Sequence, residues 1–162
     1  MKFFYGLLAL CLLGACNGSP AVSRQLQPRG VVTPITRCGG VGTLVELRIS
    51  NCDGRCNFIA GTPYECEMDF LPSGAAPALI LVVDICVLTG FCWTVLEAEI
   101  PNSSVQPGFK YTAKYTIVPN DIFAGETLLF KAHLIRAGIR LEEICVSAEI
   151  EVSAPVTAAP QI

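Results

Sequence analysis

The sequence is poor in the residues that carry catalysis, metal binding and nucleic-acid contact. Charged residues make up 15% of its 162 positions, and there is a single histidine. The 11 Lys and Arg are scattered, and the net charge is −3. Phosphate binding needs clustered cations, so nucleic acid is excluded as a partner. His133 stands alone and no Cys-x-x-Cys pair occurs, so zinc-ligand spacing is missing and neither a metal nor a cofactor is expected. Gly39, Gly40 and Gly42 precede a strand-like stretch rather than a helix, which excludes a nucleotide-cradling loop. Catalysis has as little support. Ser23, Ser103 and Ser104 lack the context of a nucleophile elbow. Glu97, Glu99 and the pair Glu142-Glu143 read as solvated strand ends and loops, and His133 falls beside Lys131 on the polar face of its segment. The chain is not expected to be an enzyme.

Long apolar runs are missing as well, except at the N-terminus. Lys2, an apolar run over residues 3–15 and the polar stretch Asn17 to Pro20 read as a secretory signal peptide, with cleavage between Ala15 and Ser19. That run is too short to span a bilayer. A rival reading takes Leu13-Gly14-Ala15-Cys16 as a lipoprotein box with a lipid on Cys16. The expected organisation is a signal peptide over 1–18, a linker over 19–30, one domain over 31–153 and a Pro/Ala tail over 154–162. Asn102-Ser103-Ser104, after Pro101 in a turn-like stretch, is the expected glycosylation acceptor.

What is abundant is apolar character, at 52%, and it recurs with period two. Tyr64, Cys66, Met68 and Phe70 alternate with Glu65, Glu67 and Asp69. Phe109, Tyr111, Ala113, Tyr115 and Ile117 alternate with Lys110, Thr112, Lys114 and Thr116. Leu128, Phe130, Ala132 and Leu134 alternate with Lys131 and His133, and Val146, Ala148, Ile150 and Val152 do the same near the end. Thr43, Val45, Leu47 and Ile49 form a further alternating set. Such segments put one face in the interior and the other in water. About seven of them, separated by Gly, Pro and Asn turns, with no helical stripe, predict an all-β, immunoglobulin-like antiparallel two-sheet β-sandwich. Seven cysteines follow the signal segment: Cys38, Cys52, Cys56, Cys66, Cys86, Cys92 and Cys145. In an oxidising compartment most should pair, and the odd number leaves one thiol free or bonded to another chain.

Several motifs occur in a telling order. Cys38-Gly39 precedes the first strand and Cys52 and Cys56 follow it. Gly61 to Phe70 carries Tyr64 and closes on Phe70. Pro107-Gly108-Phe109-Lys110-Tyr111 opens a later strand that Val118-Pro119 ends, and Cys145 stands alone in the last strand. This order resembles the ML (lipid-recognition) domain family over residues 38–152. The resemblance implies disulfides Cys38–Cys145 and Cys52–Cys56, contributing about 4–5 and about 2 kcal/mol on a chain-entropy model. The family's third bridge lies in a loop that corresponds here to residues 101–106, which hold no cysteine. Cys86 and Cys92 instead flank Leu88-Thr89-Gly90 and are placed across a hairpin. Cys66 is then left over with inward parity, and a bond from it to Cys86 or Cys92 is the alternative.

The resemblance further implies sheets that splay around an apolar interior cavity holding a lipid. Inward candidates for its wall are Tyr64, Met68, Phe70, Val95 and Tyr111, together with Tyr115, Phe130, Leu134 and Val146. The mouth would lie near Trp93 to Leu96 and the loop Pro119 to Phe123, with Phe123 a further lipid contact. Trp93-Thr94-Val95-Leu96 replaces a Pro-rich aromatic stretch frequent in the family. The implied function is a secreted monomer, extracellular or lysosomal, that carries a sterol, fatty acid or related lipid, with a membrane receptor or lipid-transfer protein as a second partner. Two other function classes fit the same features. One is an innate-immune module that presents a microbial lipid to a receptor. The other is a structural or adhesive sandwich with a filled core and no ligand.

Overall fold

The computed structural model describes residues 29–155, which form ten β-strands and one short 3-10 turn, with no α-helix among them. The leader with Cys16, most of the linker, and the tail from 156 onward lie outside the described residues. The smaller sheet is antiparallel and runs β1 (Arg29–Val31), β3 (Thr43–Ser50), β5 (Tyr64–Leu71), β8 (Tyr111–Ile117). The larger runs β2 (Ile35–Gly39), β10 (Leu141–Ser153), β9 (Thr127–Arg136), β6 (Leu79–Val87), β7 (Cys92–Ile100). A further strand, β4 (Cys56–Ile59), pairs in parallel with β10 beyond the stretch that β2 occupies. Pairing begins at Arg29, slightly ahead of the expected domain start.

The alternation read from the sequence is what brings the sheets together. On β9, Leu128, Phe130, Ala132 and Leu134 are buried while the residues between them are half-exposed. Tyr64, Cys66, Met68 and Phe70 on β5 and Val146, Ala148, Ile150 and Val152 on β10 face the same interior. Each large side chain fully buried there stabilises the fold by about 1.5–3 kcal/mol. Strand β8 begins only at Tyr111, and Phe109, expected to share its inward face, is exposed.

Two β-bulges change the expected parity. In β3 the register slips between Leu44 and Glu46, so Leu44 pairs with the inward Phe70 and Leu47 with Met68. Val45 is the extra residue, and it turns outward with 48% of its surface exposed, against the expectation that it shares the face of Leu47 and Ile49. In β10 the pairing with β9 shifts between Glu142 and Ile144. The intervening Glu143 turns into the interior and is fully buried, not solvated as expected. Its charge is met by Arg136, whose Nε donates to Oε2 at 2.6 Å, and by the backbone N–H of Ser73. Burying a carboxylate without such partners would be costly.

Three disulfides lock this arrangement. Cys38–Cys145 joins β2 to β10 across a sequence separation of 107. Cys52–Cys56 closes the turn between β3 and β4, and Cys86–Cys92 spans the β6–β7 hairpin. That hairpin turns at Gly90, whose φ of 103° suits glycine. Cys66 is a free, buried thiol, so the alternative bond from it to Cys86 or Cys92 does not form.

The outer face of the smaller sheet carries a cross-strand charge ladder. Arg48 on β3 donates to Glu46, to Glu67 and, at 3.0 Å, to Asp69 on β5. Lys110 and Thr112 reach Asp69 from the other side. The Arg48 hydrogen bond, with smaller help from Thr112 and Lys110, holds the Asp69 carboxyl well below the usual carboxylate range.

Candidate functional site

The larger sheet extends past the smaller one at β7. Pairing places Trp93, Leu96, Ala98 and Ile100 opposite Ile85, Val83, Leu81 and Leu79, all of which face the interior. The β6 side chains are buried, yet their β7 partners remain half-exposed or exposed, with Trp93 at 43%. The smaller sheet ends at β8, where Tyr111, Tyr115 and Ile117 are likewise only half-buried. A sandwich whose sheets matched in width would interdigitate here. This one leaves a flank between two edge strands, and two cavities lie along that flank.

The larger cavity, ≈ 320 Å³, sits between the sheets at one end. Val83 and Ile85 of β6, Leu128 of β9, and Ile150 and Val152 of β10 form its wall on one side, and Phe58 of β4 its floor. Ile117 of β8 faces them, and Val95, Val118, Pro119 and Phe123 surround the opening. Asn120 is the one polar side chain in the lining, and it is engaged in capping the 3-10 turn Asp121–Phe123 through the Ile122 N–H at 3.0 Å. That turn sets Phe123 over the cavity and against Trp93, with ring centroids 5.7 Å apart. Phe91 packs edge-on to Trp93 at 4.7 Å. Together with Ile122, 75% exposed, these side chains make an apolar rim. A volume of this size is at the small end for an organic ligand, and its lining offers contact and exclusion of water but no acid, base or cation.

A second, smaller cavity of ≈ 210 Å³ lies at the other end of the flank, bounded by Phe70, Leu79, Ile100, Tyr111, Ala113 and the turn 101–105. Asn102, the expected glycosylation acceptor, is exposed in that turn with φ of 54°.

Of the ten residues proposed from sequence as lipid contacts, Val95 and Phe123 line the larger cavity and Phe70 and Tyr111 the smaller. Val95 reaches its place as the extra residue of a bulge between Thr94 and Leu96 and is 51% exposed. Met68, Phe130, Leu134 and Val146 are fully buried and border neither cavity. Tyr64 packs on Phe58 at 4.5 Å and accepts a hydrogen bond from the Ile59 N–H at 2.8 Å. Tyr115 is inward, paired with Cys66. The residues that sequence reasoning passed over, Phe58, Val83, Ile85, Ile117, Leu128, Ile150 and Val152, share inward parity with the chosen ones. What separates them is their place: all border the cavity beside the loop 118–123, and all but Val83, which is central in β6, lie near one end of their strands.

His133, read as solvated, is held between carboxylates on the outer face of the larger sheet. Its Nδ1 lies 2.7 Å from Glu142 Oε1, and its Nε2 lies 3.3 Å from Asp84 Oδ2 without hydrogen-bonding geometry. The nearby Thr94 hydroxyl donates to Asp84 at 2.7 Å, so it is not aimed at the imidazole. His133, Glu142 and Cys145 lie close together, but the Cys145 sulfur is in the disulfide with Cys38 and offers no thiolate.

No protein-family model matches the sequence, and no curated protein does. Solved structures do match. A Niemann-Pick type C2 protein from the Japanese carpenter ant superposes with a TM-score of 0.60 over 74% of this chain and 99% of that one, at 15% identity. The fold is that of a Niemann-Pick type C2 protein. The C-terminal domain of wzt also superposes, with a TM-score of 0.57, 11% identity and coverage of 80% and 87%. Chicken MD-1 complexed with lipid IVa lies further away, at a TM-score of 0.39 and 14% identity over 70% of this chain and 94% of that one. The ant protein and the wzt domain carry such different names on one fold that function must be argued from the cavity.

Proposed function

We propose that the protein binds a lipid between its sheets and carries it outside the cell or within the lysosome. The observation that carries this reading is the larger cavity, apolar throughout except for Asn120 and opening through a rim of exposed Phe91, Trp93, Val118 and Ile122. Sheets packed for stability alone leave few voids larger than a water molecule. Burying about 300–400 Å² of hydrocarbon would supply roughly 8–10 kcal/mol before the costs of association, enough for micromolar binding without a hydrogen bond. The fold shared with the ant protein supports the reading, and three disulfides suit an oxidising compartment. A sterol, a fatty acid or a related lipid is the proposed cargo. The exposed rim also suits a second reading, in which the loaded protein presents its lipid to a receptor or transfer partner.

Organic extraction of the natively purified protein, followed by mass spectrometry, tests the proposal. A lipid recovered in near-stoichiometric amount is expected. A blank extract, joined to failure to bind a fluorescent sterol and a fluorescent fatty acid, would leave a structural sandwich as the better account.

A further inference from the structure

The two flank cavities share walls from β6, β7 and β8; a single inward residue separates them on β6 and on β8, and Leu96 and Ala98 separate them on β7. On β8, Ile117 borders the larger cavity and Ala113 the smaller, with Tyr115 between them on the same face. On β6, Leu81 stands between Val83 and Leu79, and the β7 pair stands between Val95 and Ile100. The distance from Ala113 to Ile117 is about 13 Å at the usual strand rise. Tyr115 is the bulkiest side chain of this dividing layer.

Tyr115 also differs from the other inward tyrosines. The Tyr64 hydroxyl accepts from the Ile59 N–H and the Tyr111 hydroxyl from the Gln106 N–H. The Tyr115 hydroxyl is buried and makes no hydrogen bond. Beside it lies the Cys66 thiol, kept neutral by burial that pushes it up to about 12. A thiol is a weak hydrogen-bond partner and stands in poorly for the backbone N–H groups that hold Tyr64 and Tyr111. Buried hydroxyls are rarely left unsatisfied, and one that is carries its full desolvation penalty. The ring therefore occupies the partition at a cost that a swing toward the open flank would relieve.

The linings say what could fill a joined space. Neither contains Lys, Arg, His, Asp or Glu, so a carboxylate or phosphate there would be desolvated without a counter-charge. The smaller cavity is edged by the polar turn Asn102-Ser103-Ser104, whereas the larger is apolar apart from Asn120. We propose that Tyr115 is a movable partition, and that its swing merges the two cavities into one channel for a single-chain amphiphile with an uncharged head. The head sits at the 102–104 turn and the chain passes Tyr115 into the larger cavity. This rests on the lipid-binding reading above and narrows its cargo.

Calorimetric titration of the mature chain with monooctanoylglycerol, monopalmitoylglycerol and palmitate, for wild type and Tyr115→Phe, tests it. The short ester fits one cavity and should bind both proteins alike. The long ester should bind Tyr115→Phe about tenfold more weakly, because a phenyl ring gains nothing by leaving the partition. Tyr115→Ala, which removes the partition, should bind the long ester more tightly than wild type does. Equal responses of the two esters to both substitutions would overturn the partition while leaving lipid binding intact. Palmitate binding as tightly as its glycerol ester at neutral pH would overturn the uncharged head. Failure of wild type to bind any of the three would overturn the channel, and organic extraction and fluorescent-sterol binding would then decide the lipid-binding reading separately.

Discussion

Phe130 on β9 and Phe123 in the turn before that strand are close in sequence and fare differently in the fold. Phe130 pairs opposite Ile85 on one side and Ala148 on the other and is fully buried. Phe123 leans on the core from the open flank, touches Trp93 and borders a cavity. Both are phenylalanines at apolar positions. The difference is whether a strand of the opposite sheet lies over them. In the middle of the sandwich every inward side chain meets another. At β7 the larger sheet overhangs, and inward parity there leads to a rim and a cavity. An apolar residue thus becomes core or binding surface according to sheet width, which is a property of the topology and not of the residue.

This contrast can be broken at several points. The largest effect is expected in the packed half. Replacing Cys38 and Cys145 together by Ala should cost about 4–5 kcal/mol in urea unfolding, given the long loop they close, without altering lipid affinity in the folded fraction. Phe130→Ala should cost about 3–5 kcal/mol, and Phe123→Ala about 1 kcal/mol, while lipid affinity should fall markedly only for Phe123→Ala. Equal thermal destabilisation by the two would show that the flank is ordinary core. The charge ladder gives a smaller effect with a definite pH sense. Because the Asp69 pKa is depressed in the fold, the stability it contributes is present above the unfolded value of about 3.9 and is lost as pH falls below it. Asp69→Asn should cost about 1–2 kcal/mol at neutral pH, and its unfolding midpoint should then fall less steeply with acid than that of wild type. Smallest of all should be Ala113→Phe. Overpacking a filled core costs about 1–3 kcal/mol, but Ala113 borders the smaller cavity. The added ring should therefore shift the melting temperature little while weakening binding of long-chain lipids.

The strands of the packed half were legible because their alternation is uninterrupted. Tyr64 to Phe70 and Leu128 to Leu134 each keep one parity from end to end, and the two-sheet architecture follows from such segments. Bulges defeat that reading. The extra residue at Val45 exchanges the faces of its neighbours, and the one at Val95 places two adjacent apolar residues on strand β7 in different surroundings. Period two carries no mark of where a register slips. The buried Glu143 was hidden for the same reason, since its partner Arg136 is supplied by pairing across a hairpin and Ser73 by a distant loop. The cavity was implied by the family resemblance, which put its mouth at Trp93 to Leu96 and Pro119 to Phe123, where Val95, Pro119 and Phe123 border it. The alternation itself marked neither the cavity nor its wall. Parity identifies the inward face of a strand, but not which end of that face is left uncovered. Ile117 and Leu128, one step along from Tyr115 and Phe130, border the cavity through position alone.

Trp93 offers the most direct test that a lipid occupies the larger cavity, because it is the sole tryptophan and stands at the rim beside Phe123. Bromine quenches tryptophan fluorescence only near contact, so a brominated lipid reports its own position. Titration with a brominated monoacylglycerol should quench Trp93 saturably at a single lipid per chain, and excess unbrominated lipid should restore the emission. Emission that stays unchanged, or falls without saturating and without recovery, would contradict a lipid site between these sheets.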